Sequence, residues 1–135
     1  PLIMGLAEAS RIFENERAQW QAGAQEVRSR LLEGLTNVRF HVNGDQDHVV
    51  PHILNLSFEE VDSEAFLVML KDLVAVATGS ACTSASYTPS HVLTAMGLPD
   101  DVASNGLRFS WLPAQAEGLD VAELARGVEK LRPRA

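Results

Sequence analysis

Apolar residues at Leu6, Ala9, Phe13, Trp20, Ala24, Val27, Leu31 and Leu35 recur at spacings of three, four and seven, the pattern of one long amphipathic helix. No other feature constrains the fold as much. About thirty helical residues extend about 45 Å at 1.5 Å each, longer than a small domain requires. The pattern therefore predicts a helix, ending near Gly34, that connects to or packs on something besides the domain that follows it. Two helices broken near Gly23 would satisfy the same spacing. The chain opens with Pro1 rather than Met, and the helical pattern is already under way at Met4, so the expectation is a segment that starts inside a longer translated protein.

After the helix the periodicity changes. Val38, Phe40 and Val42 alternate with Arg39 and His41, a half-buried strand that Asn43-Gly44-Asp45 turns. Beyond Pro51, Leu54, Leu56 and Phe58 line one face of a second strand, with Asn55 and Ser57 on the other. Asp62 or Ser63 caps a short helix through Phe66, Met69 and Leu70, and the apolar run 73–77 reads as a buried strand. Thr88 as N-cap, Pro89 in the first helical position and Gly97 as left-handed C′ bracket another helix carrying Val92, Leu93 and Met96. Leu107, Phe109 and Trp111 alternate with Arg108 and Ser110 in a last strand, and Val121, Leu124, Val128 and Leu131 form the stripe of a closing helix. This order predicts an α/β architecture of the two-layer, α+β sandwich kind, with helices on one face of a small sheet. The long helix occupies 1–36 and the small domain 37–135.

A length of 135 residues, 46% hydrophobic and 21% charged, suits one compact core. The net charge of −7 argues against direct nucleic-acid binding through a basic surface, and equally against an acidic partner. No apolar run approaches the roughly 20 residues that span a bilayer, and no secretory signal pattern opens the chain, so a cytoplasmic protein without a membrane partner is expected. The single cysteine can form no internal disulfide, which turns attention to its thiol.

Cys82 lies in Gly79-Ser80-Ala81-Cys82-Thr83-Ser84-Ala85-Ser86, where periodicity stops. A lone cysteine is ordinarily a small core hydrophobe. Here Ser80, Thr83, Ser84 and Ser86 would bring hydroxyls into any core that enclosed it, at about 1–3 kcal/mol apiece if unpaired, so exposure is favoured. A loop of Gly79, Ala81, Ala85 and hydroxyl residues has little bulk to pin it and can carry a thiol over a distance. A nucleophilic cysteine needs a cation, a histidine or a helix N-terminus to favour the thiolate; His91 is within sequence reach, although a surface helix position explains it as well. Arg108 projects from the face opposite Leu107 and Phe109. A solvated strand arginine is its ordinary explanation, and a planar fork for a substrate carboxylate its functional one.

Taken together, the segment 79–86, then Pro89-Ser90-His91-Val92-Leu93 and Ala95-Met96-Gly97-Leu98, closely resembles the active-site loop and following helix of the cysteine desulfurases, pyridoxal-phosphate enzymes of fold type I. The resemblance extends back through Pro51-His52-Ile53-Leu54-Asn55-Leu56-Ser57-Phe58 and Leu70-Lys71-Asp72 and forward to Leu107-Arg108-Phe109-Ser110, and the first helix is similar to the family's interdomain helix. It implies the small C-terminal domain of such an enzyme. L-cysteine would be the substrate, Cys82 would take the sulfur as a persulfide and pass it to an acceptor protein, and Arg108 would bind the substrate carboxylate. It also implies pyridoxal phosphate held by an upstream domain, and a homodimer when complete. Iron–sulfur cluster assembly, tRNA thiolation and DNA phosphorothioation are all supplied by similar enzymes.

The chain departs from the family where Trp111-Leu112-Pro113 replaces a small residue, a Gly and a second Arg, and at His52 and Thr78, where Asn and Ser are usual. The family's cofactor lysine has no counterpart: Lys71 and Lys130 are the only lysines, and neither lies in a Ser-x-His-Lys setting. A rhodanese-type sulfurtransferase is a poorer match, because Ala85 and Tyr87 stand where its Cys-x-x-Gly-x-Arg loop needs Gly and Arg or Thr. A regulatory module using Cys82 as a redox sensor through sulfenic acid is the alternative from another class.

Overall fold

The computed structural model of the chain describes residues 1–78, 89–112 and 118–133. A single unbroken helix, α1 (Leu2–Gly34), opens the fold with 33 residues, which decides against a break at Gly23. Only its last third is held: residues 1–22 are all exposed, while Ala24, Val27, Arg28 and Leu31 are buried. The apolar stripe read from Leu6 to Leu35 is therefore one helix face with two fates, with Leu6, Phe13 and Trp20 lying in solvent.

The described strands form one antiparallel sheet in the order β1-β2-β4-β3, comprising β1 (Phe40–Val42), β2 (Ile53–Phe58), β3 (Ala77–Thr78) and β4 (Gly106–Ser110). β2 and β4 form its centre, with Leu54 opposite Phe109 and Leu56 opposite Leu107. Because side chains alternate along a strand, these pairs put Leu54, Leu56, Phe58, Leu107, Phe109 and Trp111 on one face. Against that face pack α1, α2 (Ser63–Met69) and α5 (Val121–Leu131), whose Leu31, Phe66, Leu124 and Val128 are essentially inaccessible. Phe66 stacks on Phe58 at 5.5 Å and meets Phe109 edge-on at 6.1 Å. The α+β class expected from the sequence is the one observed.

Two polar contacts tie α1 to the sheet. Trp111 Nε1 donates to the Ala24 carbonyl at 3.0 Å. Arg28 Nη1 donates to the Ile53 carbonyl at 3.1 Å, and its Nη2 donates to Gln46 Oε1. Burial pushes the Arg28 guanidinium below its ordinary pKa, and the Ile53 carbonyl and Gln46 amide oxygen it meets are neutral acceptors.

Three local readings are revised. The apolar run 73–77 is mostly irregular rather than strand: Leu73 and Val74 both donate to the Leu70 carbonyl, and only Ala77–Thr78 pairs with β4. The helix after the cysteine segment is α3 (His91–Ala95), which starts two residues later than Pro89 would place it, with Ser90 at the N-cap position. Thr88 lies outside the described residues. A further short helix, α4 (Asp100–Ser104), was not anticipated. Both sit on the second face of the sheet, so helices do not cover one face alone. Leu93 and Ala103 are buried there, outside the main core. Other expectations hold: Asp62 accepts from Glu64 and Ala65 N–H as the N-cap of α2, and Gly97 takes φ +78° after α3.

Phe66→Ala removes a fully buried ring that touches two other rings, and is expected to cost about 3–5 kcal/mol. Urea unfolding followed by circular dichroism measures it; a loss below about 1 kcal/mol would mean that the aromatic cluster is not the centre of the core.

Candidate functional site

The second face of the sheet is polar by the same alternation that makes the first apolar. Asn55 and Ser57 on β2 stand opposite Arg108 and Gly106 on β4, and Ala77 of β3 flanks Arg108 from the far side. One end of this face is covered. A Cβ on Gly106 would come within 2.5 Å of Leu93 Cδ1, so the missing side chain is what lets α3 approach the sheet. Ser57 Oγ donates to the Val102 carbonyl of α4 at 2.8 Å. At the other end Arg108 is exposed, with no hydrogen bond or ion pair to any described residue.

A buried polar ladder borders Arg108. Asn43 Nδ2 donates to Asn55 Oδ1 at 2.6 Å and to Ser57 Oγ at 2.7 Å. Asn43 and Ser57 are 6% and 2% exposed, so these bonds form out of water. The sequence marked Asn43 only as a turn residue. Its role was visible only in that Asn55 and Ser57 shared the polar face of β2. A separate concavity of about 440 Å3 beside β1 is lined in part by His41, Glu59, Glu60 and Asp101. Arg39 lies 3.4 Å from Glu59, and Glu60 accepts from Arg39 at 3.1 Å and from Arg132 at 2.5 Å, so much of its negative charge is answered within the fold.

Cys82 and its neighbours Gly79, Ser80, Ala81, Thr83, Ser84, Ala85 and Ser86 lie outside the described residues. His91 is the exposed first residue of α3. Among the described residues no group of three or more His, Cys, Asp or Glu is placed to hold a metal, and no helix is long and apolar enough to cross a membrane. Pyridoxal phosphate does not fit them either. Lys71 and Lys130 are both exposed, whereas an amine that binds the cofactor covalently needs a desolvated setting that lowers its pKa.

No protein-family model matches the chain. Among curated proteins, the cysteine desulfurase IscS of Vibrio cholerae serotype O1 is 47% identical over 134 residues, which are 96% of this chain and 33% of that protein. IscS of Photobacterium profundum is 45% identical over the same shares. The chain matches the C-terminal third of cysteine desulfurases. It thus spans about a third of the length of the curated relatives it matches. Among solved structures, DndA from Streptomyces lividans is 77% identical, covering 83% of this chain and 31% of that one, with a TM-score of 0.62. A NifS-like protein from Rickettsia africae, 18% identical at a TM-score of 0.73 over 94% of this chain, shares the fold.

One departure from the desulfurase pattern has a structural use. Trp111 stands where the resemblance leads one to expect a small residue, and its ring is buried and bonded to α1, so this position closes the sheet onto the helix.

Gly106→Ala is expected to destabilise the domain by about 1–3 kcal/mol through overpacking against Leu93. In a Leu93→Ala background the same substitution should cost less, because the two sites share one contact. Strictly additive unfolding energies would mean that α3 is not seated by the missing Cβ.

Proposed function

We propose that this chain is the sulfur-accepting domain of a pyridoxal-phosphate-dependent cysteine desulfurase, which converts L-cysteine to L-alanine and leaves a persulfide on Cys82. One observation carries the reading. Arg108 is an exposed guanidinium with no hydrogen bond or ion pair to any described residue, and its cross-strand neighbour Ala77 precedes Cys82 by five positions in the sequence.

The chemistry balances without a further reactant. The Cys82 sulfur bonds to the substrate sulfur as the substrate's Cβ–S bond breaks. The carbon keeps the electron pair and takes up a proton, giving alanine, and the second sulfur remains on Cys82 as a persulfide. The thiolate is the form that attacks, so a proton leaves Cys82 first. A cytoplasmic homodimer that hands this sulfur to an acceptor protein is part of the same proposal. Identity of 77% with DndA against 45–47% with the IscS proteins favours looking for the acceptor among those that DndA serves. Iron–sulfur assembly and tRNA thiolation then become the comparison arms.

Two substitutions in the full-length enzyme test the roles. Cys82→Ser is expected to abolish persulfide formation, since an alcohol oxygen cannot take its place as sulfur acceptor. After incubation with L-cysteine, mass spectrometry should find added sulfur on the unsubstituted protein alone; sulfur on the serine variant would remove Cys82 from its role. Arg108→Lys keeps the charge and loses the fork, so KM for L-cysteine is expected to rise roughly ten- to a hundredfold, equivalent to about 1.5–3 kcal/mol. Unchanged KM with a large drop in melting temperature would make Arg108 structural.

A further inference from the structure

The polarity of the ladder beside Arg108 can be worked out from one end. Val102 presents a backbone carbonyl to Ser57 Oγ, and a carbonyl only accepts, so the hydroxyl proton points at it. With that proton committed, Ser57 Oγ accepts from the Asn43 amide, which must turn its Nδ2 inward. The same Nδ2 meets the Asn55 side chain, so Asn55 must present its Oδ1. An amide carries its oxygen and nitrogen at opposite corners, so Nδ2 of Asn55 faces away from Asn43. A backbone carbonyl on α4 thus fixes the orientation of three side chains in succession.

The direction matters because of what lies there. Asn55 Oδ1 is directed toward the covered end of the face, 3.2 Å from where a Cβ on Gly106 would stand. With Oδ1 taken by Asn43, Nδ2 is the amide atom of Asn55 that remains for the rest of the face, which its cross-strand partner Arg108 shares. Among the described residues nothing accepts from Asn55 Nδ2 or from the Arg108 guanidinium. Two sets of N–H donors on neighbouring strands, one of them cationic, complement a planar anion with two acceptor oxygens. The ladder also leaves Asn43 Oδ1 buried without a partner among the described residues, a penalty that an apolar residue would avoid. Orienting Asn55 is what an amide at position 43 contributes.

We propose that Asn55 is a second donor to the substrate carboxylate, and that Asn43 is the positioning residue that aims it. This rests on the reading of Arg108 as the carboxylate fork. The test uses the full-length enzyme and two substrates, L-cysteine and its methyl ester, which has the same thiol and amine without the carboxylate charge. Asn55→Asp keeps the oxygen that accepts from Asn43 and replaces the outward donor with an anionic oxygen. KM for L-cysteine is expected to rise roughly ten- to a hundredfold, with kcat/KM for the ester, which keeps an acceptor oxygen but no charge, falling far less and the melting temperature preserved. Asn43→Ala removes the aiming contact together with the bond to Ser57, leaves Asn55 in place, and should raise the same KM by less, again sparing the ester. Asn55→Ala serves as the second variant at position 55 if the aspartate variant folds poorly. Equal losses on both substrates, or an unchanged KM where Arg108→Lys raises it, would overturn the role of Asn55 and leave that of Arg108 standing. If KM changes in neither the Arg108 nor the Asn55 variant, the carboxylate reading falls with it.

Discussion

The pairing of β2 with β4 is the constraint on which the rest depends. Its five-residue register sets Leu54 against Phe109 and Leu56 against Leu107 on one face, and Asn55 against Arg108 and Ser57 against Gly106 on the other. A slip of one residue would exchange the faces, sending the arginine and the amides into the core and the leucines into solvent. Core and candidate site are therefore two readings of a single register. The aromatic contacts around Phe66 and the Trp111 bond to α1 reinforce it from the apolar side.

The two faces are finished differently. The apolar face is closed by long elements with periodic stripes, whose burial scales with area and tolerates small changes of shape. The polar face is closed by two five-residue helices, which reach the sheet through Leu93 over a glycine and through one backbone carbonyl on Ser57. This second closure is small and specific. It stops short of Arg108, so the same short helices that cover half of the face leave that residue exposed.

The same contrast explains what could be read from the sequence. α1, β2, β4 and α5 were legible because each repeats its pattern over enough residues for the period to show, and the exposure of Arg108 followed from strict alternation with Leu107 and Phe109. α4 was not legible, since a single turn with Ala103 as its buried residue has no period. The run 73–77 misled because apolar composition reports burial without reporting backbone: Leu73 and Val74 pack against the core from a turn closed on Leu70. The ladder of Asn43, Asn55 and Ser57 depends on a main-chain oxygen, which has no letter in a sequence.

The attachment of α1 gives the molecule an uneven stiffness. About 30 Å of continuous helix, residues 2–22, carries no contact that buries it, while the next turns are fastened to the sheet through the Ala24 carbonyl and Arg28. Those two anchors grip the Ile53 end of β2 and the end of β4 at Trp111, within two or three residues of Asn55 and Arg108. The same contacts that fasten α1 therefore also brace the two strands that carry the candidate site.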